Sequence, residues 1–174
     1  EGDVVDVTDN KYNSVEGAVW VRYRDNGKAK SSCGGCNNGV GLNFECHFCG
    51  GSSVGSDCDD SSAFALTYLY SDKPRTVKFQ YGGDDGMYAW INGEDLINQN
   101  SCQCYASNQF PEKEYKLKAG ANPIMVRVGE RGGHWGFVMH VACVTGEDDC
   151  IGGLHASVSP PVRPTAAVHY NKAG

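Results

Sequence analysis

The sequence predicts an all-β fold, a two-sheet antiparallel jelly-roll sandwich, from three observations. Apolar and polar residues alternate with a period of two over several short segments, as in half-buried strands. These segments are separated by turns rich in Gly, Asn and Asp, and the chain contains 23 Gly. No segment carries an apolar stripe of helical period over three turns. Many short strands joined by such turns are typical of sandwiches and jelly rolls.

The strand candidates follow from this alternation. In the segment 75–81, Val77, Phe79 and Tyr81 alternate with polar residues and are expected to share one face. The segment 134–144 is apolar on both faces, which predicts a central strand covered on both sides. The strand candidates in chain order are 3–8, 15–24, 63–70, 75–81, 114–118, 123–128 and 134–144.

The stretch GGDDGMYAWINGEDLI, residues 82–97, predicts two turns around one strand. Gly82–Gly86 is expected to turn the chain once, and Asn92-Gly93 favours a two-residue hairpin with positive φ at both positions. Asp84 and Asp85 are then mainly turn residues in an acidic, solvated rim. The alternative is a metal site, because carboxylates that converge in loops bind Ca²⁺. Asp84 and Asp85 are therefore the acidic metal-ligand candidates, with Ca²⁺ as the possible cofactor.

Residues 30–62 interrupt the strand rhythm and carry five of the nine cysteines. Two Cys-x2-Cys pairs, Cys33/Cys36 and Cys46/Cys49, could hold a tetrahedral Zn²⁺. A loop stapled by disulfides is the favoured alternative, because nine cysteines in 174 residues indicate an oxidising, extracellular setting. The disulfide candidates are Cys33, Cys36, Cys46, Cys49, Cys58, Cys102, Cys104, Cys143 and Cys150.

The C-terminal part of the chain differs in composition from the rest. A single sandwich domain is predicted over 1–150, with 30–62 as its cysteine-rich insertion, and an extended tail over 151–174. A bond between Cys143 and Cys150 would anchor the root of this tail. The tail combines a Pro-rich spacer with a possible strand over 165–170, which is what donor-strand addition between subunits requires. Its assembly candidates are Pro160, Pro161, Pro164, Val168 and Tyr170.

Charge and motifs exclude several classes of function. A net charge of −6 argues against a nucleic-acid partner, and no apolar run approaches the length of a membrane span. The motifs G-x-S-x-G, H-E-x-x-H, the P-loop and G-x-G-x-x-G do not occur, so we expect no enzymatic activity. Trp20, Tyr88 and Trp90 are candidates for a platform on which sugar rings stack, with burial in the core as the alternative.

Residues 75–141 contain a recognisable pattern. The segments VKFQYGGDDGMYAWINGEDL and YKLKAGANPIMVRVGERGGHWGFVMHV resemble the galactose-binding-like jelly-roll modules found beside secreted glycoside hydrolases. The matching positions are Asp84, Asp85, Gly86, Trp90, Asn92, Gly93, Leu117, Lys118, Gly120, Asn122, Trp135, Gly136 and Phe137. The resemblance implies an extracellular β-sandwich that is often associated with carbohydrate. The cysteine-rich insertion, the Cys102/Cys104 segment and the Pro-rich tail depart from that pattern.

These observations lead to two hypotheses about function. The first is a secreted, non-enzymatic structural protein that forms a homo-polymer or homo-oligomer, joined head-to-tail through its C-terminal strand as a filament or matrix. The second is a carbohydrate-binding, adhesive module whose partner is a polysaccharide. The two are compatible, since a fibre can also be adhesive.

Overall fold

The structure is a computed structural model that describes residues 41–48, 59–101, 110–144 and 150–158, with Cys46, His47 and Ser101 described by their backbone alone. Its elements confirm the predicted all-β, antiparallel fold class. They are β1 Leu42–Asn43, α1 Phe44–Phe48, β2 Ser62–Ser71, β3 Arg75–Ile91, β4 Glu94–Ser101, β5 Lys113–Leu117, β6 Gly120–Gly129, β7 Gly136–Cys143 and β8 Leu154–Ser157. Within the described ranges, no helix is long and apolar enough to cross a membrane.

The central element is β3, a 17-residue strand that belongs to two sheets. Its first part, through Asp84, pairs with β5 and β7, and its second part, from Asp85, pairs with β4 and β6. The two sheets share β3, and together they form one curled antiparallel surface with the strand order β1-β7-β3-β6-β2-β8, while β4 and β5 also pair with β3. The change of partners at Asp84 and Asp85 places these two residues at the corner where the sheet folds over.

The prediction that Gly82–Gly86 turns the chain is wrong. These residues continue β3 without a break, and Gly82, Gly83 and Asp84 keep their register against β7. Glycine is needed here because the corner is crowded: a Cβ on Gly83 would lie 2.5 Å from the Cβ of Met87. The composition of a tight turn and that of a sharply bent strand are the same, so the sequence pattern could not distinguish them.

The core lies inside the fold of the sheet. Val77, Phe79 and Tyr81 are fully buried, as the alternation in the sequence predicts, and Met87, Ala89 and Ile91 continue the same face beyond the corner. Trp135 also lies in this core, where its indole Nε1 donates a hydrogen bond to the Val128 carbonyl. The predicted central strand 134–144 corresponds to β7, which pairs with β1 and β3, although His140 is exposed on its outer face.

The β3–β4 hairpin turns at Asn92-Gly93 as predicted, with φ values of 54° and 85°. Behind this turn lies Asn122, whose side chain is inaccessible to solvent. Its amide nitrogen donates to the carbonyls of Leu69, Lys118 and Gly120, and its Oδ1 accepts from the Lys118 amide and from Asn92 Nδ2. One side chain therefore connects β2, the β3–β4 turn and the β5–β6 turn.

We expect the substitution Asn122→Ala to destabilise the protein by about 2–4 kcal/mol, because it leaves several buried polar groups without a partner at once. Chemical denaturation measures this change in the free energy of unfolding. The matched control is Asn98→Ala on β4, where the side chain is exposed and the expected loss is below ~0.5 kcal/mol. Equal losses in the two variants would contradict this role of Asn122.

The C-terminal end of the described chain is fixed by a disulfide between Cys143 and Cys150. The guanidinium of Arg75 donates to the carbonyls of Cys150 and Gly152 and also contacts Asp72. Leu154–Ser157 then forms β8, which pairs with β2. The first residues of the predicted tail thus complete the edge of the molecule's own sheet. The predicted boundary at residue 150 stays a prediction, and the assembly candidates Pro160, Pro161, Pro164, Val168 and Tyr170 lie outside the described residues.

Candidate metal and ligand site

Three carboxylates meet at the corner of the curled sheet: Asp84, Asp85 and Glu130. The two Asp residues stand at the point where β3 changes sheets, and Glu130 follows the last residue of β6. Because β6 pairs with β3 in the register Gly129 opposite Gly86, Glu130 arrives beside the acidic pair. One oxygen from each side chain lies within 4.8 Å of those from the other two.

All three acidic side chains are buried, with exposures of 5%, 8% and 3% for Asp84, Asp85 and Glu130. Asp85 Oδ2 accepts a hydrogen bond of 2.8 Å from the Arg131 amide. Among the described residues, neither carboxylate oxygen of Glu130 has a hydrogen-bond partner. Burying an acidic group without a partner is costly, so this arrangement requires either a proton or a cation to compensate the charge.

The surroundings raise the pKa of two of these carboxyls. Burial, followed by the charge of Asp85, raises the pKa of Asp84 from 3.8 to about 7, while the nearby His134 opposes part of that rise. Burial, followed by the charges of Asp85 and Asp84, raises the pKa of Glu130 from 4.5 to about 8. The Gly132 amide lies near enough to lower this pKa slightly, although it does not reach hydrogen-bond geometry with either carboxylate oxygen. Near neutral pH the site without a metal therefore holds protons that a cation would displace.

The donor set fits Ca²⁺. Two oxygens on opposite sides of a Ca²⁺ ion, each at 2.3–2.6 Å from it, are roughly 5 Å apart. The mutual separation of at most 4.8 Å among the three acidic oxygens is within that span. Carboxylates are hard oxygen ligands, which Ca²⁺ prefers and soft metals do not. Because Glu130 accepts no hydrogen bond from the described part of the chain, both of its oxygens are available for coordination.

His134 and Glu45 lie beside the acidic cluster and contact each other. His134 Nδ1 lies 3.0 Å from Glu45 Oε2, and both side chains are close enough to Asp84 to affect its pKa. Glu45 belongs to α1, whose first residue, Phe44, donates its amide to the Trp135 carbonyl at 2.8 Å. Part of the predicted insertion 30–62 therefore packs beside the acidic cluster.

The acidic cluster opens into a cleft of about 240 Å³. Asp85 and Glu130 form part of its lining, together with Tyr88, Asn100 and Arg127. The lining residues in full are Asp60, Ser61, Ser62, Asp85, Gly86, Tyr88, Asn100, Arg127, Gly129, Glu130 and Arg131. A Cβ on Gly86 would lie 3.3 Å from Asn100 Oδ1, so the glycine leaves room for this amide oxygen next to Asp85.

Of the three aromatic candidates for a sugar platform, only Tyr88 is among the residues that line the cleft in the described part of the chain. Tyr88 lines the cleft, and Trp90, two residues further along β3, lies on the same half-exposed face without lining it. This face is opposite the buried face of Met87, Ala89 and Ile91. Trp20 lies outside the described residues.

Most of the cysteine hypotheses lie outside the described part of the chain. Of the zinc candidates, Cys33, Cys36 and Cys49 are outside it, and Cys46 is in α1 with its side chain undescribed. The remaining disulfide candidates Cys58, Cys102 and Cys104 are also outside it. The choice between zinc and disulfides in 30–62 therefore stays open.

Sequence reasoning missed Glu130, Asn100 and Arg127. Glu130 joins the acidic pair only because β6 lies beside β3 in the sheet, although β4 and β5 come between them in the chain. The available signal was the sequence Gly-Glu-Arg-Gly-Gly directly after an apolar strand, which places a charged side chain at a strand end. Without the strand order, nothing relates that end to Asp84 and Asp85.

No family model matches the chain, and no curated protein matches it. One solved structure is similar in part, the PA14 domain of the MpAFP antifreeze protein, at 18% sequence identity and a TM-score of 0.41. The similarity covers 49% of this chain and 45% of that one, so the chain spans less than half of the solved domain's length. A TM-score this low carries no argument about function, and the predicted galactose-binding-like family is not confirmed.

Proposed function

We propose that this protein is a non-enzymatic, extracellular module that binds glycans through a Ca²⁺ ion held by Asp84, Asp85 and Glu130. The observation that carries the proposal is Glu130, which is 3% exposed inside an acidic cluster and whose carboxylate oxygens have no hydrogen-bond partner among the described residues. A bound cation supplies the missing partner. Of the two hypotheses from the sequence, this develops the carbohydrate-binding one.

The open cleft supports a ligand that completes the coordination of the metal. Ca²⁺ takes six to eight oxygens, more than three carboxylates supply if each gives a single oxygen. Sugars present pairs of adjacent hydroxyl groups, which are neutral oxygen ligands. The cleft volume of about 240 Å³ is smaller than the ~300–1,000 Å³ of most small-molecule sites, which favours contact with a single sugar unit. Tyr88 adds an aromatic ring to the wall.

The extracellular setting is supported by two features. The described chain contains the disulfide Cys143–Cys150, and disulfides persist in oxidising compartments. Ca²⁺ sites of extracellular modules are weak, with Kd values of about 10⁻⁴–10⁻³ M. The raised pKa values of Asp84 and Glu130 weaken Ca²⁺ binding near neutral pH, because protons compete with the ion for these carboxylates.

A glycan array probed with the full chain tests this function. We expect binding in Ca²⁺, loss of binding in a chelator, and recovery when Ca²⁺ is added back but not when Mg²⁺ is, since Mg²⁺ keeps several of its waters. The substitution Asp85→Asn should abolish binding. Asp95→Asn on the exposed part of β4 is the matched control and should bind as the wild type does. Glycan binding that persists in chelator would contradict the proposal.

The assembly hypothesis stays a prediction. Its donor strand, over 165–170, lies outside the described residues. In the described part of the chain, β8 of the same molecule already pairs with β2. A donor strand from a neighbouring subunit would therefore require a different edge, and filament formation remains compatible with glycan binding.

A further inference from the structure

Arg127 is an exposed cation in the wall of the cleft that has no acidic partner in the described part of the chain. It lies in β6, between Tyr88 of β3 and Phe64 of β2 in the strand register. Its guanidinium carbon is 5.8 Å from the centre of the Tyr88 ring, and its Nη2 donates to Ser62 Oγ at 3.2 Å. These two contacts orient the guanidinium, and no described acidic side chain pairs with its charge.

Arg127 lies in the same cleft as two members of the acidic cluster, Asp85 and Glu130. Arg127 and Glu130 are three residues apart at the end of β6, which separates their Cα atoms by roughly 10 Å in extended chain. Both line the same cleft. A sugar that contacts a cation held by Asp85 and Glu130 would therefore extend toward the guanidinium.

Bound Ca²⁺ removes the excess negative charge of the cleft. The three ionised carboxylates carry −3, and Ca²⁺ brings this to −1. Among the other lining residues, Asp60 adds one negative charge and Arg127 and Arg131 add two positive charges, so the charges of the occupied cleft sum to zero. The occupied cleft therefore does not repel an acidic group as a whole, and the exposed guanidinium of Arg127 offers such a group a local positive charge.

We propose that the cleft selects an acidic sugar, with Arg127 as the residue that determines this specificity. The inference rests on the proposed Ca²⁺-dependent glycan binding and names its ligand class. The planar guanidinium presents two parallel N–H donors that match a carboxylate or a sulfate group, and such charge-assisted pairs are stronger than hydrogen bonds between neutral groups. The Tyr88 ring holds the guanidinium through a cation–π contact. Because this contact already restricts the conformations of the Arg127 side chain, less conformational entropy is lost when a ligand binds.

The test compares three monosaccharides that differ in one substituent. Galacturonate, galactose 6-sulfate and galactose are titrated into the full chain at one fixed free Ca²⁺ concentration, and the dissociation constants are measured by calorimetry. We expect at least one acidic sugar to bind about tenfold more tightly than galactose, the effect of one charge-assisted pair. The two acidic sugars distinguish selection of a carboxylate from selection of a sulfate.

Variants assign the preference to Arg127. In Arg127→Gln the ratio of the dissociation constants should fall to near one, and in Arg127→Lys part of the preference should remain, because the charge is kept and the planar fork is lost. Lys116→Gln on β5 is the matched control: it removes one exposed positive charge outside the cleft and should keep the full preference.

The outcomes separate this inference from the proposed function. Ca²⁺-dependent binding of galactose that equals that of both acidic sugars would overturn the role of Arg127 and leave the function in place. A preference for the acidic sugar that persists in Arg127→Gln would do the same. A chain that binds no Ca²⁺ in these titrations would overturn both.

Discussion

The substitution Glu130→Gln is expected to remove Ca²⁺ binding and, at the same time, to stabilise the metal-free protein. The amide keeps the shape of the side chain but not its charge, so the site loses one of three acidic ligands and its affinity for Ca²⁺ falls by about 100-fold or more. Without the metal, the wild type above pH 8 contains a buried, ionised Glu130 whose charge no hydrogen bond within the described ranges compensates. A neutral amide at that position costs less to bury.

Thermal unfolding of the full chain with and without Ca²⁺ measures both effects. At pH 8.5 or above, we expect the variant to have the higher Tm in chelator and the wild type to have the larger rise in Tm on addition of Ca²⁺. Glu114→Gln on β5 is the matched control, because Glu114 is exposed and distant from the cluster in the strand register. A variant that responds to Ca²⁺ as the wild type does would exclude Glu130 as a ligand.

The stability of the metal-free protein is expected to fall as the pH rises from about 4 to about 8. The pKa of Asp84 is about 7 and that of Glu130 about 8 in the folded protein, against 3.8 and 4.5 for the same groups in solvent. Since the folded state binds these protons more tightly than the unfolded state does, unfolding releases protons in this range, and each pH increment favours the unfolded chain. The contribution of these two groups to the free energy of unfolding is fully present below the solvent pKa values of 3.8 and 4.5. It is lost as the pH rises through the folded-state pKa values of about 7 and about 8.

The expected decrease between pH 5 and pH 9 is on the order of a few kcal/mol in the free energy of unfolding, as follows from two coupled shifts of this size. Denaturant titrations at several pH values in chelator measure it. The double variant Asp84→Asn/Glu130→Gln provides the comparison, because it keeps all other titrating groups, including the histidines, and should lose most of the slope. Identical pH profiles for the wild type and the double variant would contradict the raised pKa values.

Saturating Ca²⁺ should change this pH profile. The metal requires ionised carboxylates, so its affinity increases as Asp84 and Glu130 lose their protons. The stabilisation by Ca²⁺ should therefore be smallest near pH 5 and largest above pH 8. This trend is opposite to that of the metal-free protein, and the two together distinguish a metal site from an acidic cluster that only holds protons.

The parts of the fold that depend on local alternation could be predicted from the sequence. Val77, Phe79 and Tyr81 face the core because side chains alternate along a strand, and this requires no knowledge of the neighbouring strands. Asn92-Gly93 forms its hairpin because the turn type demands positive φ at both residues. In each case the physical cause lies within a few residues of the chain.

The candidate site could be predicted only in part, because its causes are not local. The sequence identifies Asp84 and Asp85 as possible metal ligands but predicts a turn at these residues, whereas β3 runs through them and changes sheets there. Their partner Glu130 depends on the pairing of β6 with β3, which no short pattern encodes. The burial that raises the pKa of Glu130 likewise comes from the folding over of the sheet.

Calorimetric titration of Ca²⁺ into the full chain at pH 7, in two buffers of different ionisation enthalpy, tests the central claim most directly. If Asp84, Asp85 and Glu130 hold the ion, the titration should show a site that releases between about one and two protons per Ca²⁺, since Glu130 is largely protonated and Asp84 about half protonated at this pH. Exposed acidic clusters would bind Ca²⁺ without such a release. Binding with no proton release, or no binding at all, would contradict the assignment of this site.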